Sequence, residues 1–542
     1  MDQALHVPEV VRTVCNYLKE KEACAMALSH RAFLEPGLDC LWRSIDSYEP
    51  LLACLPDDLW EAEDRESVLN VDRWATIVTL RRVLTASDLQ RYRTFYARRI
   101  RTFAPPDGSS GKMLLSIAFL QALELATDRE PGALCPLLTS FTWPSPTRMH
   151  DYEGDSYSSH LSPFMDLFYG RNVTSLTVKV SGDDYPIHTA SVFLATKSSS
   201  HVKTLKIDNG FGSLKSAKGP SDSDLYLTSF NWAYLRSLTV SGETTGAAMP
   251  TLTSLPMLAI LNIDGNLKEM PLLYTPGTKH PLVKPPRGNF PTLRALRLRG
   301  RSTEDIIAFL QHIPRSNSVW KLDVVLLDPT ASLHYRDLIQ TIQKHCNPRA
   351  LRSLDLSDWT DPGEDLDDDI DPEGGVDVSP LLAFRRLKDL TIHVPEHVKV
   401  TPMLLSQIPA AWPKIVSLYL DDFLQGAGRI PLIDHTHVTS LLKGVPSIRH
   451  LGIVFDATKI TDSVSNSDGP FPLLTLSVGD STIYSPSRVL AWIKARFPKL
   501  NNLNSVDSMN EALDRQSKRW LRVVNDWNTW KSQGADAGAQ AQ

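Results

Sequence analysis

Cysteine is scarce, with six in 542 residues. Cys15, Cys24, Cys40, Cys54, Cys135 and Cys346 form no C-x-x-C pair and have no histidine at ligand spacing, which argues against a zinc site or redox pair and leaves small buried thiols. Long apolar runs are missing as well. Nothing reaches the about 18 consecutive apolar residues that a membrane-spanning helix needs. The opening residues lack the basic start, apolar core and small-residue cleavage site of a secretory signal. The expected location is therefore cytoplasmic, nuclear or both, with no membrane partner. Positive charge is not in surplus: the net charge is −5 and the pI near 6.3, so nucleic acid is not an expected partner.

Catalytic signatures are equally absent. G-x-S-x-G, H-E-x-x-H and G-x-G-x-x-G do not occur, and the 15 histidines show no zinc-like clustering. Gly108-Ser-Ser-Gly111-Lys112 has two residues between its glycines where a phosphate loop has four, and Met113 follows where Ser or Thr is needed. No catalytic residue, cofactor site or metal ligand is expected, and the chain reads as non-enzymatic. A composition of 42% hydrophobic and 22% charged residues is that of a soluble globular protein, so the chain has the means to fold.

What it has in abundance is one recurring pattern: apolar, two others, apolar, one other, apolar. It reads Leu138/Phe141/Trp143, Val173/Leu176/Val178, Val202/Leu205/Ile207, Leu235/Leu238/Val240, Leu258/Leu261/Ile263 and Leu293/Leu296/Leu298. It continues as Val319/Leu322/Val324, Leu351/Leu354/Leu356, Leu387/Leu390/Ile392, Ile415/Leu418/Leu420, Ile448/Leu451/Ile453 and Leu473/Leu476/Val478, with a degraded copy at Leu500/Leu503. Eleven steps separate Leu176 from Leu503, so the mean step is (503 − 176)/11, about 29.7 residues, near the upper end of the period of leucine-rich repeats. The two-residue alternation closing each copy is that of a strand with one buried face. Helical spacing follows many copies, as in Thr303–Leu310, Tyr335–Ile342 and Pro486–Ile493. A proline such as Pro291, Pro413 or Pro446 then returns the chain to extended geometry. The expected fold class is α/β: a solenoid with parallel strands on its concave face and helices on its convex face, built because no unit alone can bury both of its apolar sides.

The expected domains are an N-terminal helical segment over 1–48, a helical linker over 49–136, the solenoid of about 12–13 repeats over 137–508, a capping helix over 509–532 and a disordered tail over 533–542. Within the linker, Ser87-Asp-Leu-Gln90 has the form of a capping box. Arg91, Arg93, Arg98, Arg99 and Arg101 surround Tyr92, Phe95 and Tyr96, and helical spacing favours core aromatics with solvated or paired arginines. Asp361–Asp377 imitates the start of a calcium loop, but Ile370 and Val376 stand where glycine and a bidentate glutamate belong, so it reads as a solvated loop, like the stretches 209–224 and 266–292.

The first forty-odd residues read as three short helices: one from Leu5 to Leu18 with Pro8 in its first turn, one over Lys21–Ser29, and one over Leu38–Ile45. Val10, Val11, Val14 and Leu18 share one side of the first. A segment this short lies near the lower limit for a self-sufficient core and favours a partner, with capping of the repeat array as the alternative.

Val7-Pro8-Glu9, the apolar helix ending at Tyr17-Leu18, Ala27-Leu-Ser-His-Arg-Ala-Phe33 and Leu41-Trp42-Arg43 together resemble the F-box over roughly residues 4–46, with Val7 where leucine is usual. The repeats resemble the irregular leucine-rich repeats of F-box proteins of the fungal type. They depart from that pattern where an asparagine or cysteine should hold the turn after the strand. Only Asn266 qualifies; the other copies have Ser181, Gly210, Glu243, Arg301, Trp359, Pro395 or Asp456, so these turns must find other donors and acceptors. The resemblance implies a substrate-recognition subunit of an SCF-type ubiquitin ligase, reaching a cullin through an SKP-type adaptor. Val7, Pro8, Glu9, Val10, Leu18, Leu28 and Trp42 would contact the adaptor, and the repeats would bind a protein substrate whose identity is not encoded in any motif. The alternative is a non-catalytic scaffold unconnected to ubiquitin transfer.

Overall fold

The computed structural model describes residues 7–540, apart from 16, 67–73, 107–112, 145–160, 181–184, 199–200, 210–221, 229, 231, 242, 266, 269, 271–288, 328–331, 359–374, 395–396, 423–430, 462–468, 480 and 506–513. The Gly108–Lys112 segment, most of the inserted loops, the acidic insertion up to residue 374, and Asn266, Ser181, Gly210, Trp359 and Pro395 lie outside the described residues. The fold is mixed α/β with a large parallel sheet, and the chain divides into two compact units, Met1–Leu258 and Ala259–Gln542.

The first unit opens with helices α1 (Pro8–Cys15), α2 (Glu20–Ser29) and α3 (Arg31–Leu41). Its strands are β1 (Ser44–Ile45), β2 (Trp60–Glu66), β3 (Trp74–Leu80), β4 (Thr102–Phe103), β5 (Leu114–Leu115), β6 (Ser140–Trp143), β7 (Ser175–Val180), β8 (Thr204–Asn209), β9 (Ser237–Val240) and β10 (Thr244–Thr245). A parallel row runs β1-β4-β6-β7-β8-β9. Its register places Phe141, Leu176, Leu205 and Leu238 side by side, and Trp143, Val178, Ile207 and Val240 two residues on. All eight are buried, because alternate side chains of a strand face the same side.

In the second unit the strands are β11 (Ile260–Ile263), β12 (Leu267–Lys268), β13 (Ala295–Gly300), β14 (Lys321–Leu326), β15 (Ser353–Asp358), β16 (Asp389–Val394), β17 (Ser417–Asp422), β18 (His450–Ile453), β19 (Thr475–Ser477) and β20 (Asn502–Asn504). All but β12 lie in one parallel row, and a single column of leucines crosses it: Leu261, Leu296, Leu322, Leu354, Leu390, Leu418, Leu451, Leu476 and Leu503. Each leucine is at most 5% exposed, so each shields its neighbours from water and contributes about 1.5–3 kcal/mol. The strands thus coincide with the recurring pattern, and helices return the chain between many of them. Ser302, Thr401 and Asp434 cap the helices Thr303–Gln311, Pro402–Ala411 and His435–Gly444 by accepting hydrogen bonds from backbone amides.

The C-terminal helix Asp514–Gln540 covers the end of the row. Trp520, Val523 and Trp527 are buried, the Trp520 Nε1–H donates to the Ser481 carbonyl at 2.7 Å, and Lys531 Nζ donates to the Leu500 and Asn501 carbonyls just before β20. The helix continues through Gln540, where a disordered tail was expected from 533.

Three further expectations are corrected. The segment 49–136 is not wholly helical. Its β1-facing strand β4 extends the parallel row ahead of Leu138, while β2 and β3 form an antiparallel hairpin with β5 parallel to β3. The β-branched run Thr76-Ile-Val-Thr79 favours that strand over a helix. The third helix spans Arg31–Leu41 rather than Leu38–Ile45, and Ser44–Ile45 pairs with Thr102–Phe103. Gly37 makes the α2–α3 contact close: a Cβ there would come within 2.6 Å of the Ala27 Cβ. Finally, Ser87–Gln90 forms a turn instead of a capping box. Asp88 accepts from the Thr85 amide and hydroxyl and pairs with Arg82, and these local bonds outcompete the cap.

Candidate docking surfaces

The first candidate surface lies on α1 and α2. In α1, Val11 and Cys15 turn inward and are buried. Val7, Val10 and Val14, spaced by three and four residues on one helical face, are exposed. The valines therefore split where a single side was expected: Val11 packs inward, Val10 and Val14 face water, and Leu18 is half-buried. Glu9 is exposed, Pro8 starts the helix and its side chain lies outside the described residues. On α2, Leu28 is 79% exposed, and Tyr17 after α1 is 85% exposed. Val14, Tyr17 and the exposed Leu34 of α3 were not among the residues assigned to the adaptor from sequence, because nothing in the pattern distinguishes an outward from an inward apolar face when a helix carries both.

Trp42 belongs to a different structure. Its ring stacks on Tyr96 at 4.3 Å between centroids and meets the edge of Tyr92 at 6.3 Å, so it anchors α3 instead of facing outward. Tyr92 is buried and donates its hydroxyl to the Leu134 carbonyl at 2.9 Å. The arginine-rich run completes the attachment. Arg99, only 10% exposed, pairs with Glu35 at 2.6 Å and with Asp39, and Arg12 of α1 donates to Asp39 at 3.3 Å. Arg93 pairs with Glu130, and Arg101 donates to the Arg98 and Ile100 carbonyls. Phe95 is the aromatic of this run that stays exposed.

Several polar side chains beside the strands are occupied by the backbone or by one another. After the strands, Asp224 accepts from the Thr245 amide and hydroxyl, Tyr335 donates to Asp358, and Asp456 accepts from the Thr458 amide at 2.9 Å and the Thr482 hydroxyl at 3.2 Å. Asparagine is present on the opposite turn, before the strands, a placement that sequence reasoning missed. Asn289 Nδ2 donates to the His312 carbonyl at 3.1 Å and Asn317 Nδ2 to the His345 carbonyl at 2.9 Å, each reaching the end of the next unit's helix. Asn347 Nδ2 in turn donates to the Asn317 carbonyl at 2.8 Å.

Titration follows the same logic. Burial pushes Asp434 up, yet bonds from Thr436 and His437 outweigh it and hold the carboxyl well below the usual range. Burial pushes the Cys135 and Cys346 thiols up to about 12, which keeps them unreactive. Cys15 and Cys54 are buried too, whereas Cys24 is exposed and all six are free. Among the described residues no three His, Cys, Asp or Glu side chains converge as metal donors, and no helix is long and apolar enough to cross a membrane.

Neither a family model nor a curated protein sequence matches the chain. The functional reading therefore stands on its residues and their geometry. What that geometry offers is surface for docking: an outward apolar face at the N-terminus and long rows of short strands whose alternate positions are mostly half-buried.

Proposed function

We propose that the chain is a target-recognition subunit: α1–α3, as an F-box-like segment, dock on the SKP-type adaptor of a cullin ubiquitin ligase, and repeats of leucine-rich type hold a protein target. The observation that carries this reading is the outward apolar face of α1 and α2. Val7, Val10 and Val14 with Tyr17 and Leu28 stay in water in the free chain, although Val11, Cys15, Ala23 and Ala27 on the same two helices are buried. Clustered apolar side chains left in water are a common mark of an interaction surface. Of the residues assigned to the adaptor, Val7, Pro8, Glu9, Val10, Leu18 and Leu28 keep that role, and Trp42 acts indirectly by fixing α3.

Retention of purified SKP-type adaptor on immobilised full-length chain tests the reading. Val10→Glu combined with Leu28→Glu abolishes retention while the unfolding transition stays in place. Retention unaffected by the pair, or no retention by the unmodified chain at micromolar adaptor, leaves a scaffold with no link to ubiquitin transfer.

A further inference from the structure

The residue that leads into each strand of the second unit sits beside its counterpart in the next, because the backbone bonds there run from unit to unit. The Trp320 amide donates to the Arg294 carbonyl at 2.8 Å, the Arg352 amide to the Trp320 carbonyl at 2.8 Å, and the Lys388 amide to the Arg352 carbonyl at 2.7 Å. Neighbouring strands lie about 4.8 Å apart, so Arg294, Trp320, Arg352 and Lys388 form one line across β13–β16. Arg349 and Arg386, from the turns before β15 and β16, line the same groove, whose volume is about 580 Å3.

All five cations are exposed, and among the described residues none is paired with a carboxylate. Other arginines of the molecule, whose net charge is −5, are matched, as Arg82 is with Asp58 and Asp88 or Arg99 with Glu35 and Asp39, whereas here five unmatched cations lie in one groove. Trp320 is 44% exposed in the middle of the line and gives it an apolar platform. Like charges at this spacing repel one another, and an anion brought to the groove relieves that repulsion.

We infer that the groove formed by Arg294, Arg349, Arg352, Arg386 and Lys388 around Trp320 binds a short acidic peptide segment of a partner protein, its carboxylate or phosphate groups meeting the cations and an apolar side chain resting on the indole. A protein segment fits better than a nucleic acid strand. Asp389 lines the groove, and Asp323 and Asp355 occupy exposed-side positions of the adjoining strands, so the positive surface is bounded by carboxylates that an evenly charged phosphate backbone would meet. A peptide presents its charges only where its sequence puts them. The inference goes beyond the adaptor-docking reading and does not depend on it.

Fluorescence anisotropy with the full-length chain tests it, using labelled peptides of one length: an Asp/Glu-rich peptide with one central leucine, a phosphoserine version, and a Asn/Gln version. The expected result is binding of one or both acidic peptides, weakened at least tenfold between 50 mM and 500 mM salt, with the neutral peptide at least tenfold weaker. Arg294→Glu combined with Arg352→Glu and Lys388→Glu removes binding, while Lys499→Glu, a charge reversal at another exposed position of the same unit, leaves it within twofold. These side chains are exposed, so the variants fold; an unchanged denaturation midpoint confirms it, and Trp320→Ala alone weakens binding several-fold as an independent check. Binding of the phosphoserine peptide alone assigns the phosphorylated form, and binding of both assigns general acidity. Equal affinity of unmodified and reversed chains for the acidic peptides, or tighter and reversal-sensitive binding of a single-stranded RNA 12-mer, overturns the inference.

Discussion

The two ends of the chain are both helical, and they treat their apolar side chains in opposite ways. The helix Asp514–Gln540 buries Trp520, Val523 and Trp527 against the last strands and fastens itself with bonds from Trp520 and Lys531 to strand-turn carbonyls. The Ile483 amide and carbonyl are matched in the same way by Gln516 and Arg519. Helices α1–α3 hang on the stacked Trp42 and the Arg99 ion pairs, and they leave Val7, Val10, Val14 and Leu28 in water. A capping element is recognised by apolar groups turned in and its polar groups spent on the edge it covers. By that measure the C-terminal helix caps, and the N-terminal helices retain a face for something else.

That contrast can be broken by mutation. Trp520→Ala carries the largest expected effect. It removes a fully buried indole and its hydrogen bond, costing about 3–5 kcal/mol, read as a lower denaturant midpoint for the second unit. Trp42→Ala loosens the other end by about 2 kcal/mol, since the ring is only half-buried, and hydrogen exchange speeds up in α1–α3 more than in β6–β9. A cost as large as that of Trp520→Ala, spread through the whole unit, would make the N-terminal helices a cap after all.

A pH effect separates the body of the first unit from its N-terminal helices. Burial, and then the negative charge of Glu124, raise the Asp166 carboxyl to about 6. Its ordinary value is about 3.9, so between those pH values the folded chain keeps a proton that the unfolded chain has released. The stability that this proton provides is full below about pH 4 and is lost as pH rises through about 6. Asp166→Asn is therefore more stable than the parent at pH 7–8 by on the order of 1 kcal/mol, with the two converging near pH 4 in denaturant titrations. Exchange in α1–α3 does not follow this change if those helices are attached independently. The smallest effect is the most telling one: Val10→Glu and Leu28→Glu each shift stability by no more than about 0.5 kcal/mol, because both side chains lie on the exposed face of their helices.

The strands were legible because their signal is local. Each leucine of the column is announced by its own two-residue alternation, and the mean step of about 29.7 residues repeats often enough to outlast the variation between copies. The hairpin β2–β3 was not, since Trp60-Glu-Ala-Glu-Asp-Arg-Glu66 shows no strand-like apolar alternation and owes its conformation to pairing with Trp74–Leu80. Helix α3 was displaced because Pro36 and Gly37 sit inside it, tolerated where the glycine lets α2 and α3 touch.

At the candidate site the limits are of a different kind. The fate of Trp42 depends on Tyr96, far along the chain, and that partnership leaves no mark in either local pattern. Val10 and Val11 are the same residue type one position apart, and which of them meets water is decided by where the rest of the unit lies. The line of cations before β13–β16 is spaced by whole units, so it emerges only once the register brings Arg294, Arg352 and Lys388 together.

The asparagines before the strands carry a last consequence. Asn289 and Asn317 are 317 − 289 = 28 residues apart and Asn317 and Asn347 are 347 − 317 = 30; the first two give their amide bonds forward, to the His312 and His345 carbonyls, and Asn347 gives its own back to the Asn317 carbonyl. Asn317 is therefore tied twice to the segment that follows it, through its own amide to His345 and through its carbonyl to Asn347. The spacing of these neighbouring segments is thus clamped by side chains at the edge before the strands, in addition to the ladder between the strands themselves.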